Sequence, residues 1–277
     1  MLISIVSAKG APGASVASLA WALEWPGPSL LVEADPRGGE ALVGYAHRYA
    51  GLTPARTLLS VHAAASRATP MTTAIRDNVL SVGENRWLLA GFPEPRQAAA
   101  FDWARFARAV AGPIGIDAIA DCGAVTATGG PRALWSVGDL LVLVVRATAP
   151  GVRAAELVIP RLRADLAELG MGEDRLAVAI AGAGEPYSTR EVMDALTQSV
   201  GTGRVRPLPV IAEVPRNSKV ADFLSCGVKT LRNRVFDGSR FASTMRGGAE
   251  AIAQSAAAFR STGAPLVESM QREGSGT

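Results

Sequence analysis

Short apolar runs separated by helical stretches recur along this chain, and that alternation restricts its fold more than any other feature. Leu2–Val6, Ser29–Ala34, Ile114–Cys122, Asp139–Val145 and Leu176–Ala181 each read as a buried strand. Asp139–Val145 is apolar after its first residue and ends in paired valines, the composition of a strand covered on both faces. Between these runs, Ser15–Glu24, Ala98–Ala111, Ala154–Leu169 and Ser188–Val200 carry helical spacing or helix-boundary residues. Strands alternating with helices predict an α/β fold, with a mostly parallel central sheet and helices on both faces.

The remaining segments fit around that plan. Residues 40–76 carry helical patterns with small residues and arginine on the polar side. Asn78–Gly83 and Arg86–Gly91 read as two further strands joined by Glu84-Asn85, and Val205–Pro215 as the last strand. Short and long helices are expected over Ser218–Leu224 and Arg240–Phe259. At 277 residues and 48% hydrophobic, the chain can bury one large core. The expectation is a single domain over residues 1–262 and a polar, disordered tail over 263–277.

Several function classes are disfavoured. No apolar run reaches the roughly 18–20 residues of a membrane span, and the start lacks the basic and cleavage features of a signal peptide, so a cytoplasmic protein is expected. Cys122 and Cys226 have no metal-ligand spacing, and His47 and His62 sit in no recognisable motif. The net charge of +3 is mild. Arginines Arg232, Arg234 and Arg240 permit non-specific contact with nucleic acid, but a solvated basic face explains them as well.

The chemistry is concentrated near the start. After Leu2–Val6 comes a loop of small residues, Ser7 to Gly13, and then a helix start at Ser15. Strand, small-residue loop and helix N-terminus form a phosphate cradle, because exposed N–H groups and the positive helix end face one anion. A Gly/Ala-rich turn without a ligand is the plain alternative. The common P-loop G-x-x-x-x-G-K-[ST] fails, since Ala8 stands for the first glycine and Ala14 for the lysine.

The loop instead resembles the lysine-signature P-loop K-G-G-x-G-K-[ST] of the MinD/ParA family. Lys9, Gly10, Gly13 and Ser15 match it, while Ala11 and Ala14 depart from it. Only Lys9, Lys219 and Lys229 are lysines, so one at the signature position is suggestive. The resemblance implies a nucleotide held by Lys9, Gly10, Ala11, Pro12, Gly13, Ala14, Ser15 and Val16. It also implies that Lys9 is donated across a nucleotide-sandwich homodimer.

Two further elements extend the resemblance over roughly residues 1–230. Glu33, Asp35, Pro36, Gly38 and Gly39 are similar to the family's D-x-D-P-Q-G-G, with Glu33 for the first acid and Arg37 for the glutamine. This implies that Asp35 orients the attacking water near magnesium. Ile114–Cys122 looks like the family's strand Y-D-x-[IV]-[IV]-x-D-x-[PG], which makes Asp121 a magnesium ligand through water, alongside Ser15. Residues 123–130 would be a switch segment. Pro215 and Arg216 are the nearest equivalents of the loop that flanks the base. Gly182-Ala183-Gly184 replaces the Asn-Arg pair with which many members read adenine.

These resemblances imply ATP or ADP with Mg2+ as ligand, weakened by the missing lysine at position 14. The favoured expectation is a degenerate, at most weakly hydrolysing protein that dimerises and acts as a positioning or assembly factor. Its kin would be the CpaE/TadZ-like branch that places Tad-type pilus or secretion machinery, although the receiver-like N-terminal domain of that branch is not expected from these 277 residues. An active ParA-type ATPase of plasmid or chromosome partition is the first alternative. A nucleotide-free protein-interaction module of the same fold is the second. Membrane anchoring through Ala264–Arg272 is not expected, because that stretch is feebly basic and feebly apolar.

Overall fold

In the computed structural model of the chain, residues 1–8, 13–39, 41–48, 56–112, 115–125, 131–184, 186–200, 210–226, 236 and 238–273 are described. They build an eight-stranded sheet flanked by helices. The strands are β1 (Leu2–Ser7), β2 (Ser29–Glu33), β3 (Leu80–Gly83), β4 (Arg86–Leu89), β5 (Asp117–Ala124), β6 (Leu140–Arg146), β7 (Leu176–Ala181) and β8 (Val210–Val214). Their order across the sheet is β3-β4-β2-β5-β1-β6-β7-β8. Every pairing is parallel except the β3–β4 hairpin. The α/β plan expected from the sequence is therefore the observed one.

The period-two alternation of the strands divides the core into two layers. In β1, Leu2 and Val6 face one layer while Ile3 and Ile5 face the other. In β6, Leu141, Leu143 and Val145 oppose Leu140, Val142 and Val144 in the same way. Both faces are covered, which is why these strands are apolar throughout. The first layer is closed by α2 (Leu58–Ser66), α3 (Met71–Asn78), α4 (Trp103–Ala111), α5 (Arg132–Val137), α6 (Ala149–Glu168) and α7 (Thr189–Val200). The second is closed by α1 (Ala14–Leu23), α8 (Ser218–Cys226) and α9 (Arg240–Glu273).

Helix boundaries differ from the expected ones for identifiable reasons. The helix expected over Ala98–Ala111 is two pieces, a 3-10 turn at Pro95–Ala100 and α4. Asp102 restarts the helix by accepting the Arg105 N–H at 2.9 Å. Trp103, Phe106 and Val110 of α4 are buried, as their spacing predicts, and Trp103 and Phe106 stack edge-on around Phe101. The helix expected from Ala154 begins at Ala149 instead, capped by Thr148, which accepts the Gly151 N–H at 3.3 Å. Pro150 lies in its first turn, where no N–H is needed. The last helix, α9, extends through Glu273 rather than ending at Phe259. β8 begins at Val210, and the expected start at Val205 falls outside the described residues.

Candidate functional site

Strand β1 lies between β5 and β6, at the point where the chain changes the direction in which it builds the sheet. Open parallel sheets bind ligands at such a point, beyond the carboxyl ends of the strands. A cleft of about 780 Å³ is found there. Its wall takes Ser7 from the end of β1, Gly123 from β5, Arg146 from β6 and Gly182 after β7. Its volume is that of a small-molecule site.

One side of the cleft is the start of α1. Gly13 precedes the helix at φ 119°, a left-handed conformation that favours glycine. Gly13 has no side chain with which to cap the first-turn N–H groups of Ala14, Ser15 and Val16. Gly13, Ala14, Ser15 and Val16 all line the cleft. Ala14 is buried, and its methyl group supplies neither charge nor donor. Lys9, Gly10, Ala11 and Pro12 lie outside the described residues.

Strand parity sets a buried acid behind Ser15, in a small hollow adjoining the cleft. Ala118, Ala120 and Cys122 of β5 face the first core layer, which turns Asp121 toward α1. The Ser15 hydroxyl donates to its carboxylate, and the Gly123 N–H donates to Oδ1 at 3.1 Å. A register shift against β1 follows Asp121, where Gly123 takes φ 67°. Burial pushes the Asp121 carboxyl up to about 6, against the opposing pull of the two hydrogen bonds. Asp121 pairs in register with Ile5 and Glu33, so Ser15 and Asp121 are brought together from elements over a hundred residues apart.

Asp35 follows β2 and is also buried. A Cβ on Gly123 would lie 2.1 Å from its Oδ2, so the glycine is what lets the β5 turn pass this carboxylate. Asp35 is committed to Arg37 on one edge. It accepts the Arg37 backbone N–H at 2.9 Å, Nε at 3.1 Å and Nη2 at 2.7 Å. The hydrogen bond to Asp35 raises the Arg37 guanidinium above its ordinary value.

Glu33, at the position of the first acid in the resembling motif, is spent on the backbone. Its carboxylate accepts the Ala41 N–H at 2.6 Å and the Gly91 N–H at 3.2 Å. It pins the segment after β2 to the segment after β4. Pro215 and Arg216 line the far side of the cleft with Asn217, which caps α8 by accepting the Val220 N–H at 3.2 Å. Gly182, the first of the expected Gly-Ala-Gly substitution, lines the cleft as well. Sequence reasoning missed Arg146, and it read Arg37 only as a departure from a motif. An acid and an arginine two residues apart in an Asp-Pro turn was the available signal for Arg37.

The donors present fit a nucleotide with a magnesium ion. The N–H groups at a helix start suit phosphate oxygens. Two carboxylates and a hydroxyl are the sparse set with which magnesium is held when phosphates and waters complete its shell. Among the described residues no group of three or more His, Cys, Asp or Glu side chains gathers as a metal site independent of phosphate. Cys122 is a buried free thiol whose ionisation burial pushes well up, so it is no nucleophile.

No family model and no curated protein matches the chain. Solved structures do. A ParA family ATPase from Chlorobium tepidum superposes at TM-score 0.67 and 16% identity, covering 90% of this chain and 98% of that one. MinD in the MinC:MinD cell division complex of Aquifex aeolicus does so at 0.63 and 17%, covering 90% and 93%. A McdA variant from Cyanothece in complex with ATP does so at 0.62 and 14%, covering 91% and 95%. The chain has the fold of the ParA and MinD ATPases. At these identities the likeness establishes architecture alone, and function must come from the cleft.

Among the described residues no helix is long and apolar enough to cross a membrane. Arg232 and Arg234 of the basic cluster lie outside the described residues.

Proposed function

We propose that this chain is a MinD/ParA-like nucleotide-binding protein that holds ATP or ADP with Mg2+, turns it over weakly or not at all, and works inside the cell as a dimerising positioning or assembly factor. The observation that carries this reading is that the α1 N-terminus, Ser15 and Asp35 line one cleft, with Asp121 buried behind Ser15 and hydrogen-bonded to it. The α1 N–H groups would hold phosphate oxygens, and Ser15, Asp121 and Asp35 would hold magnesium, the latter two through water. Magnesium supplies charge neutralisation between the phosphates. Weak turnover is supported by two features. Ala14 offers nothing to stabilise charge building on a transferring phosphoryl group. Asp35, the residue assigned to orient water, already has its carboxylate neutralised by Arg37.

In the same reading Lys9 is donated to the nucleotide of a second copy, so that nucleotide biases the chain toward a homodimer offering a new surface to a third component. A ligand shifts that equilibrium only by its difference in affinity for monomer and dimer. MinD is found in complex with MinC in the Aquifex structure, and McdA with ATP in the Cyanothece one. The third component here is read as part of a pilus or secretion assembly of the Tad type, in keeping with the CpaE/TadZ-like resemblance.

Calorimetry with ATP and magnesium on wild type and Ala14→Lys, with phosphate release followed in the same samples, tests the reading. Binding by wild type without turnover, and turnover gained in Ala14→Lys, is the expected result. Clear turnover by wild type would replace it with a partition-type ATPase. Absence of binding in both proteins would replace it with a nucleotide-free interaction module.

A further inference from the structure

The cleft has an anion cradle at the start of α1, yet the described side chains that line it include no lysine there. Arginine is the cation on this side. Arg37 lines the cleft together with Gly13, Ala14 and Ser15, and its charge reaches both Asp35 and Asp121. Asp121 is in turn hydrogen-bonded to Ser15, in the first turn of α1. Arg37 thus lines the same cleft as the start of α1, with its charge within reach of the carboxylate that Ser15 binds.

Its pairing with Asp35 leaves half of the guanidinium available. Nε and Nη2 meet the two carboxylate oxygens at 3.1 and 2.7 Å, and the Arg37 backbone N–H anchors the same carboxylate at 2.9 Å. Nη1 has no partner among the described residues, and the side chain is 59% exposed whereas that of Asp35 is 11% exposed. A guanidinium carries five donors in a planar fork, so one edge can hold a carboxylate while the other binds a phosphate. An exposed arginine ordinarily loses rotamer freedom when it binds an anion. Here the buried Asp35 has already fixed the head group, and that part of the cost is met before the ligand arrives.

We propose that Arg37, held in place by Asp35, is the residue of this chain's own cleft that binds the terminal phosphates of the nucleotide, with Asp35 as its positioning residue. This rests on the nucleotide reading above and adds a phosphate-binding side chain to it. Asp35 would thus serve the polyphosphate indirectly, by aiming a cation at it. The same contact ties the segment after β2 to the ligand, so the nucleotide's terminal phosphates would order residues 35–39.

The test is calorimetric titration of the full chain with ATP and, separately, with inorganic triphosphate, both with magnesium, comparing wild type, Arg37→Gln and the control Arg76→Gln. Arg76 is an exposed α3 residue whose partner among the described residues is its neighbour Asp77. Arg37→Gln is expected to weaken both ligands by about tenfold, the worth of one charge-assisted hydrogen-bonded contact, while Arg76→Gln changes neither. The affinity of wild type should also fall more steeply with added KCl than that of Arg37→Gln. Equal affinities of wild type and Arg37→Gln, or a loss confined to ATP, would overturn the assignment of Arg37 to phosphate and leave the nucleotide reading standing. Binding of triphosphate but not ATP by wild type, with the Arg37→Gln loss intact, would overturn the nucleotide reading and keep the assignment. Binding of neither ligand by wild type would overturn both.

Discussion

The two ends of the same sheet are built on opposite terms. At the amino ends of the strands, polar groups are committed to other parts of the chain. Asp117, the first residue of β5, accepts the Trp25 indole N–H at 2.9 Å, and Asp139, just before β6, accepts the Leu2 N–H at 2.8 Å. Arg86, which opens β4, donates to the carbonyls of Leu23, Gly27 and Trp25 at 2.6–2.8 Å. At the carboxyl ends, the α1 N–H groups are uncapped, Arg37 uses one edge of its fork, and Asp121 is buried with its ionisation suppressed. The closed end satisfies its groups and stabilises the fold. At the open end the start of α1 has no side-chain cap and Arg37 keeps one edge of its fork, so a ligand there can gain free energy by meeting them.

The largest effect that would break this contrast is expected at the closed end. Arg86→Met removes one cation and leaves three carbonyls to find other partners, so unfolding free energy should fall by about 3 kcal/mol in urea denaturation. Affinity for ATP with magnesium should not change. If the variant is as stable as wild type, the closed end is not held by this network.

At the open end the sign reverses. The fold keeps the Asp121 carboxyl protonated up to about pH 6, whereas in the unfolded chain it titrates near 3.8. Its contribution to stability is therefore complete below about pH 4 and lost as the pH rises through 6. With metal and nucleotide removed by chelator and dialysis, Asp121→Asn should be more stable than wild type by about 3 kcal/mol at pH 7.5. That gain should disappear near pH 4. A variant less stable than wild type at pH 7.5 would mean that the carboxylate is satisfied without a cation.

The smallest effect sharpens the contrast by lying outside both ends. Arg246 of α9 meets Glu24 at 2.7 Å but is largely exposed. Arg246→Ala should cost less than about 1 kcal/mol in thermal or urea unfolding, and less still at high salt.

Much of this molecule was legible in the sequence. The apolar runs gave β1, β2, β6 and β7 nearly to the residue, because a strand covered on both faces must be apolar at both parities. The hairpin of β3 and β4 around Glu84-Asn85 was equally plain. The candidate cleft was legible in part: Ser15, Asp35 and Asp121 were singled out, and of these Ser15 and Asp35 line the cleft while Asp121 is buried behind Ser15. Glu33 was not legible in this way. It lies two residues from Asp35 on the same parity of the chain, yet it binds two backbone N–H groups instead of facing the cleft as a ligand. Asp35 finds Arg37 within its own turn, whereas the partners of Glu33 come from residues 41 and 91, which its neighbours in sequence do not announce.

By itself, then, the sequence determined which segments become strands and helices, and that a small-residue loop meets a helix start after the first strand. These follow from periodicity, apolar content and turn chemistry, which act over a few residues at a time. Only the tertiary structure decided which polar side chains are consumed by the fold and which remain for a ligand. It set Asp121 against Ser15, turned Glu33 to the backbone, and left one edge of Arg37 uncommitted in the cleft. The reason is that a hydrogen bond is satisfied by whatever lies within about 3 Å, and for these groups sheet order and strand register brought most of those neighbours together.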